Sequence, residues 1–475
     1  VTDTVSPAGS WRELLTTHLG TSTVLAGGVA MYATNEFLTI SLLPSTIAEI
    51  GGGRLYAWVT TLYLVGSVVA ATMVNSMLRA LGPRWSFLLG LALFGVASVV
   101  CGAAPTMEVL IAGRALQGIA GGLLAGLGYA LINAALPRSL WTRGSALVSA
   151  MWGVATIVGP ATGGLFAQLG LWRWAFGAMA MLTAAMALLV TMVLAAGRVD
   201  PRDATSIPPA LKVPVWSLLL VGSAALAVSV AQLPRNGMAT TGLLVLGVLL
   251  VGLAVVVDWR SDAAVLPHSV FGSGPLKWIY LTMAMQMMAV MVDTYVPLFG
   301  QRLGHLTPVA AGFLGASLAI GWTVSEIASA SLNNPRTIGR VIAIAPLVMA
   351  SGLALAAFTQ RADAPIGVVA LWAGALMIAG FGIGMAWPHL SARAMQSVDD
   401  PAEGGAAAAA INTVQLISGA FGAGLAGVVV NTATGGEVAA ARWLFAVFTV
   451  LAGVGLLSSY RVSHPATRGD HDSTC

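Results

Sequence analysis

The sequence predicts an all-α, polytopic membrane protein of fourteen spans, on three observations. The chain is 57% hydrophobic and only 8% charged, with a mean hydropathy of +0.86, whereas a soluble domain carries roughly 25% charged residues. Apolar stretches long enough to cross about 30 Å of hydrocarbon as helices recur from end to end. Basic residues alternate between successive loops in a way that an even number of spans explains.

The expected spans are 23–44, 57–78, 85–104, 107–136, 143–168 and 173–196, then 214–233 and 239–257. Six more follow at 276–300, 308–331, 338–359, 365–392, 405–431 and 438–460. With both termini cytoplasmic, fifteen of the 22 basic residues fall inside, among them Arg79, Arg84, Arg138, Arg143, Lys212 and Arg340. Six fall outside (Arg54, Arg173, Arg235, Arg302, Arg361 and Arg442), and Arg114 alone lies within a span. An odd count would scramble this alternation.

The chain divides itself by composition. Residues 1–22 form a cytoplasmic segment without a cleavable signal pattern, and 23–196 a first bundle of six helices. Residues 197–275 hold a Pro- and Asp-bearing linker with two inserted helices, 276–460 a second bundle of six, and 461–475 a cytoplasmic tail. Inner loops are short, which leaves no room for a soluble catalytic domain. A pI near 9.3 comes from basic residues standing singly in loops, so no nucleic-acid partner is expected. The two cysteines, Cys101 and Cys475, fall on opposite sides of this topology and lack metal-ligand spacing, so neither a mutual disulfide nor a metal site is expected.

Four local patterns stand on the first half in order. The first span carries Asn35-Glu36-Phe37 and ends at Leu42-Leu43-Pro44. The fourth carries Gly113-Arg114-Ala-Leu-Gln117-Gly118 and continues to Gly121-Gly122. The fifth carries Gly159-Pro160-Ala-Thr-Gly163-Gly164, and Trp172-Arg173-Trp174 opens the sixth. Over essentially its whole length the chain resembles the major facilitator superfamily, specifically its fourteen-span branch of drug:proton antiporters. The resemblance implies two six-helix bundles rocking around a central cavity, in a bacterial plasma membrane. It also implies export of an amphipathic drug-like compound, a lipophilic cation or zwitterion, in exchange for protons, with no cofactor and no enzymatic step. A monomer is expected. Export of an endogenous lipid or metabolite is the alternative. Proton-coupled nutrient import is opposed by the Gly-Pro-x-x-Gly-Gly pattern, which in the family marks antiporters.

One loop departs from the family. Its acidic position between spans two and three holds Arg79 here, while Gly82 and Arg84 keep the glycine and final arginine. Arg79 and Arg84 are therefore expected to pair with Asp399, Asp400 and Glu403 of the most acidic inner loop, as a substitute cytoplasmic gate.

Arg114 is the costliest residue in the chain. A guanidinium at membrane depth costs roughly 2.5 kcal/mol or more, so it must face a partner or a wet cavity. At about 1.5 Å of rise per residue, Glu36 lies roughly 12 Å and Arg114 and Asp293 roughly 10 Å from the outer ends of their spans. A carboxyl in a weakly solvated cavity holds its proton more tightly, and a guanidinium nearby loosens it. Glu36 is thus the first choice as proton carrier, or else a fixed counter-charge for Arg114. Arg114 tunes Glu36 or clamps helices. Asp293, in the matching first span of the second half, binds a cation, carries a second proton, or serves packing.

Tyr32, Asn35, Gln117, Trp152, Thr156, Gln286, Asn412 and Gln415 are expected to line the cavity. Thr282, Gln286, Ala289 and Asp293 recur at helical spacing. Gly118 and Gly122 offer a smooth helix face, while Gly159, Pro160, Gly163 and Gly164 suit a kinked or sliding helix.

Overall fold

The computed structural model describes residues 11–130, 132, 136–137, 140–194, 214–234, 236–261, 265–272, 274–332, 334–397 and 404–463. A short helix, α1 (Trp11–Thr16), precedes α2 (Leu19–Ile50), α3 (Trp58–Gly102), α4 (Met107–Ala130), α5 (Trp141–Gln168) and α6 (Trp172–Val193). Next come α7 (Val215–Val230) and α8 (Gly237–Arg260). The second half holds α9 (Leu276–Val290), α10 (Val296–Gly304), α11 (Pro308–Ser329), α12 (Pro335–Thr359), α13 (Ile366–Gln396), α14 (Gly404–Thr432) and α15 (Gly436–Ser463).

The described residues contain no strand. Among the described residues, eleven helical stretches are long and apolar enough to cross a membrane. The fourteen-span expectation places its three further spans on α2, on the first arm of α3 and on the 16-residue α7.

The loop expected between spans two and three is reduced to a reversal at one residue. Helical geometry in α3 fails only at Gly82, whose φ of 76° and ψ of 170° suit glycine, and Pro83 follows without a backbone donor. The two arms run side by side. Arg114 reaches the Val59 carbonyl on the first arm at 3.4 Å, and Gln117 donates to Ser98 Oγ on the second at 2.9 Å.

Glycine spacing sets how closely the helices meet. A Cβ on Gly118 or Gly122 would strike the backbone of Tyr63 or Ser67 on the first arm of α3, and one on Gly66 would strike the Ala115 carbonyl. The second half repeats this arrangement. Gly380 and Gly384 of α13 face the Leu318 and Trp322 carbonyls of α11, and Gly321 faces the Met377 carbonyl. In the membrane, where lipid is as apolar as leucine, such backbone approach is a main source of helix association. Gly118→Ala is expected to lower thermal stability by about 1–3 kcal/mol, because a carbonyl cannot rotate away as a side chain can. Gly126→Ala, which meets only the Val74 side chain, should cost less; unfolding in detergent compares them.

The Gly-Pro pattern of α5 packs the seam between the halves. Gly159 and Gly163 lie against Phe37 and Leu38 of α2, whereas Gly164 lies against Pro308 and Val309 of α11. The Pro160 carbonyl in turn sits 3.2 Å from the position of a Cβ on Gly312 of α11. At this end of the bundle, the outer end in the expected orientation, the halves are closed against each other. A second seam joins α3 to α14, and α7 contacts both. By contrast, only 11% of the apolar stretch of α8 is buried, so α8 rides on the periphery.

Candidate functional site

Arg114 sits two turns into α4 and is 1% exposed. Its guanidinium binds Asn35 Oδ1 of α2, donates to Gln117 Oε1 at 2.9 Å and to the Val59 carbonyl, and lies 3.9 Å over the Tyr63 ring. Gln117 passes the network on to Ser98 Oγ and receives the Cys101 thiol at 3.5 Å. Arg114 forms no ion pair among the described residues, where the pairs are Arg173–Glu49, Arg302–Glu437 and His305–Asp363. Its charge is solvated by amides, a carbonyl and an aromatic face, which a buried cation requires.

Glu36 follows Asn35 directly in α2 and is 8% exposed. It lies within electrostatic range of Arg114 and of Asp293 in the other half. Asp293 stands where the expected ninth span breaks into a 3₁₀ segment, Met291–Tyr295, between α9 and α10. Tighter winding inside a longer helix often marks a functional hinge. One carboxyl oxygen of Asp293, Oδ1, is buried without a hydrogen-bond partner among the described residues.

An aromatic wall stands one turn from Glu36. Tyr32 stacks on Tyr63 at 5.2 Å between ring centroids and meets Trp152 edge-on at 5.7 Å. The Tyr63 hydroxyl donates to the Tyr32 carbonyl, while the Tyr32 hydroxyl is buried without a partner. Such a wall beside a carboxyl suits an organic cation.

The remaining residues expected in the cavity divide. Asn35 and Gln117 are fully buried and commit their carbonyl oxygens to Arg114, though Asn35 Nδ2 has no partner. Thr156 is buried and donates to its own helix at Gly153. Gln286 is fully buried with both ends of its amide unpartnered. Asn412 is exposed and Gln415 half-buried, toward the opposite end of α14 from the closed seam. Thr282 bonds Ser458 of α15 at 2.8 Å, so the lower part of its stripe serves helix packing. Met287 of α9 and Met291 of the 3₁₀ segment lie, with Leu64, against Gly419, so these two methionines pack on α14.

Of the expected cytoplasmic gate, Asp399, Asp400 and Glu403 lie outside the described residues, as does the Arg79 side chain. Arg84 is half-buried, with its Nε unpartnered among the described residues. Glu326 is half-buried and joins no ion pair among the described residues, and His389 bonds the Ser329 carbonyl.

At the outer end, Glu49 lies beyond the span expected at 23–44. It accepts from Trp172 Nε1 at 2.6 Å and pairs with Arg173, which also caps the Ala104 carbonyl at 3.2 Å. The Trp172 bond first, then Arg173, holds its carboxyl below the usual glutamate range. A depressed carboxyl adds stability above its ordinary pKa and loses it as pH falls through the lower folded value. Glu49→Gln should therefore blunt the decline in thermal stability below about pH 4. The effect should be small for so exposed a pair.

Several partners were not evident from the sequence. Tyr63, Ser98 and Cys101 complete the Arg114 network from both arms of α3, and nothing in their local sequence separates them from ordinary helix residues. Their signal is spatial, created by the reversal at Gly82.

The profile of the Major Facilitator Superfamily matches residues 25–423. A protein of Mycobacterium tuberculosis named "Probable multidrug-efflux transporter" is 74% identical over 464 residues, 98% of each chain. Among solved structures, a peptide transporter superposes with a TM-score of 0.66 at 14% identity, covering 94% of this chain and 95% of its own. A D-xylose–proton symporter gives 0.63 at 15% identity, covering 94% and 97%. At such low identity these two describe the fold alone.

Proposed function

The chain belongs to the major facilitator superfamily, and we propose that within it the protein exports amphipathic drug-like compounds in exchange for protons. The chain crosses the membrane fourteen times with both termini cytoplasmic, and its two bundles alternate access to a site between them. One observation carries the reading: buried Arg114 is bound to Asn35, next to Glu36, while Asp293 of the other half lies within electrostatic range of Glu36. Export rather than import is supported by the 74% identity to a protein named for multidrug efflux.

The cycle follows from this arrangement. A proton arriving from the outer side neutralises Glu36, and Asp293 serves as a second acid or as an anchor for a cationic substrate. Inner opening rehydrates Glu36, the proton leaves, and the freed carboxylate with the Tyr32–Trp152 wall takes up a lipophilic cation. Proton and cation thus compete for one carboxyl, which is the simplest basis for exchange. The closed seam at Gly164 and Pro308 and the exposed Asn412 fit an inward-facing state.

The test is the sign of coupling in proteoliposomes with a fluorescent lipophilic cation and an imposed pH gradient. Opposed fluxes support the proposal and parallel fluxes support import. Uptake indifferent to the gradient rules out proton coupling.

A further inference from the structure

We propose that α7 is an outer latch, which holds the segment Gly53–Trp58 of the first half against the second half and must let go before the outer side can open. The inference rests on the alternating-access reading but not on which ion drives it.

At the outer end of α7 all three parts of the chain meet. Arg54 donates to the Gln232 carbonyl at 3.4 Å and binds the Leu233 carbonyl, and Trp58 Nε1 donates to the Ser229 carbonyl at 3.1 Å. Asn431, at the end of α14, donates to the Arg54 carbonyl at 2.9 Å and to Gln232 Oε1 at 3.1 Å. Gln232 is fully buried. A buried amide is costly unless it is hydrogen-bonded; Gln232 Oε1 accepts its bond from the second half, while Nε2 has no partner among the described residues. An anchor meant only for lipid would need no such residue.

Directly beside this knot the two halves are sealed by a pair of aromatic rings. Tyr56 of the gripped segment stacks on Tyr295 at 4.6 Å, and both are buried. Tyr295 continues the stack to Phe299 and stands two residues beyond Asp293. The pair is therefore placed to block the outer route to Asp293. Packing adds to the hold, since a Cβ on Gly427 of α14 would overlap both Gln232 and Ala57. Below the knot, α7 shares an apolar crevice with Val65, Val68 and Ile417, so it follows the α3–α14 seam inward.

The experiment uses the full chain carrying Cys101→Ser and Cys475→Ser, with Thr294→Cys as a reporter behind the Tyr56–Tyr295 pair. Right-side-out vesicles are treated with a membrane-impermeant maleimide, without substrate or pH gradient. Adding Gln232→Ala and Asn431→Ala should speed labelling about tenfold, equivalent to about 1.4 kcal/mol of lost closure. Gly427→Ala, which removes no side chain, should shift labelling the same way and decides the matter if the double variant does not fold. Unchanged or slower labelling in folded protein overturns the latch. Faster labelling here, beside transport indifferent to pH in the protein with its own Cys101 and Thr294, would keep the latch and remove the proton-exchange reading.

Discussion

Glu36→Gln is expected to abolish the response of export to a pH gradient while leaving the protein folded. Glutamine preserves the shape and much of the hydrogen-bonding capacity of the side chain but cannot exchange a proton. Glu36 makes no ion pair within 4.0 Å among the described residues, so its replacement breaks no salt bridge. In proteoliposomes the variant's uptake rate should be the same with and without an imposed gradient. A lipophilic cation should also bind more weakly, because the carboxylate one turn from Tyr32 is gone. Normal gradient-driven turnover in this variant would remove Glu36 as carrier.

Arg114→Ala is expected to be the most destabilising single substitution at the site. It strips the donor from Asn35 Oδ1, Gln117 Oε1 and the Val59 carbonyl. Each buried acceptor left without its partner costs about 1–3 kcal/mol. Some relief comes at Gln117 Oε1, which still accepts from the Cys101 thiol. A large fall in melting temperature in detergent should follow. Arg114→Lys separates stability from coupling, because an ammonium retains the charge but cannot span all of these acceptors in a planar fork. That variant should bind substrate nearly as well as the unaltered protein and lose gradient-driven export. If binding fails first, Arg114 is a clamp that holds α2, α3 and α4 together.

The features most legible in the sequence were those set by solvent. Charges rare enough to stand out at membrane depth, Glu36, Arg114 and Asp293, fall near one another because each must avoid lipid. Helix positions also followed from apolar length. Geometry that depends on contact between distant segments was not legible. Arg114 was expected to tune Glu36 or to clamp helices; that its guanidinium binds Asn35, one residue earlier, is set by the packing of α4 on α2 and has no local sequence signal. Two spans appeared to need a loop, yet Gly82 alone turns the chain. Asp293 read as part of a continuous helix, yet it lies in a 3₁₀ break ahead of Pro297, whose missing donor loosens the winding there. Gln232 and Asn431 stand at the ends of the spans expected at 214–233 and 405–431, and their meeting with Arg54 exists only in the assembled bundle.

Competition between proton and substrate for Glu36 is the central claim, and it can be read without transport. Purified protein is placed in weakly buffered detergent solution near neutral pH, a lipophilic cation is added, and released protons are followed with a pH-sensitive dye. The unaltered protein should release protons on binding, Glu36→Gln should bind without release, and Asp293→Asn should retain release. Substrate binding to the unaltered protein with no proton release, or undiminished release from Glu36→Gln, would contradict the account.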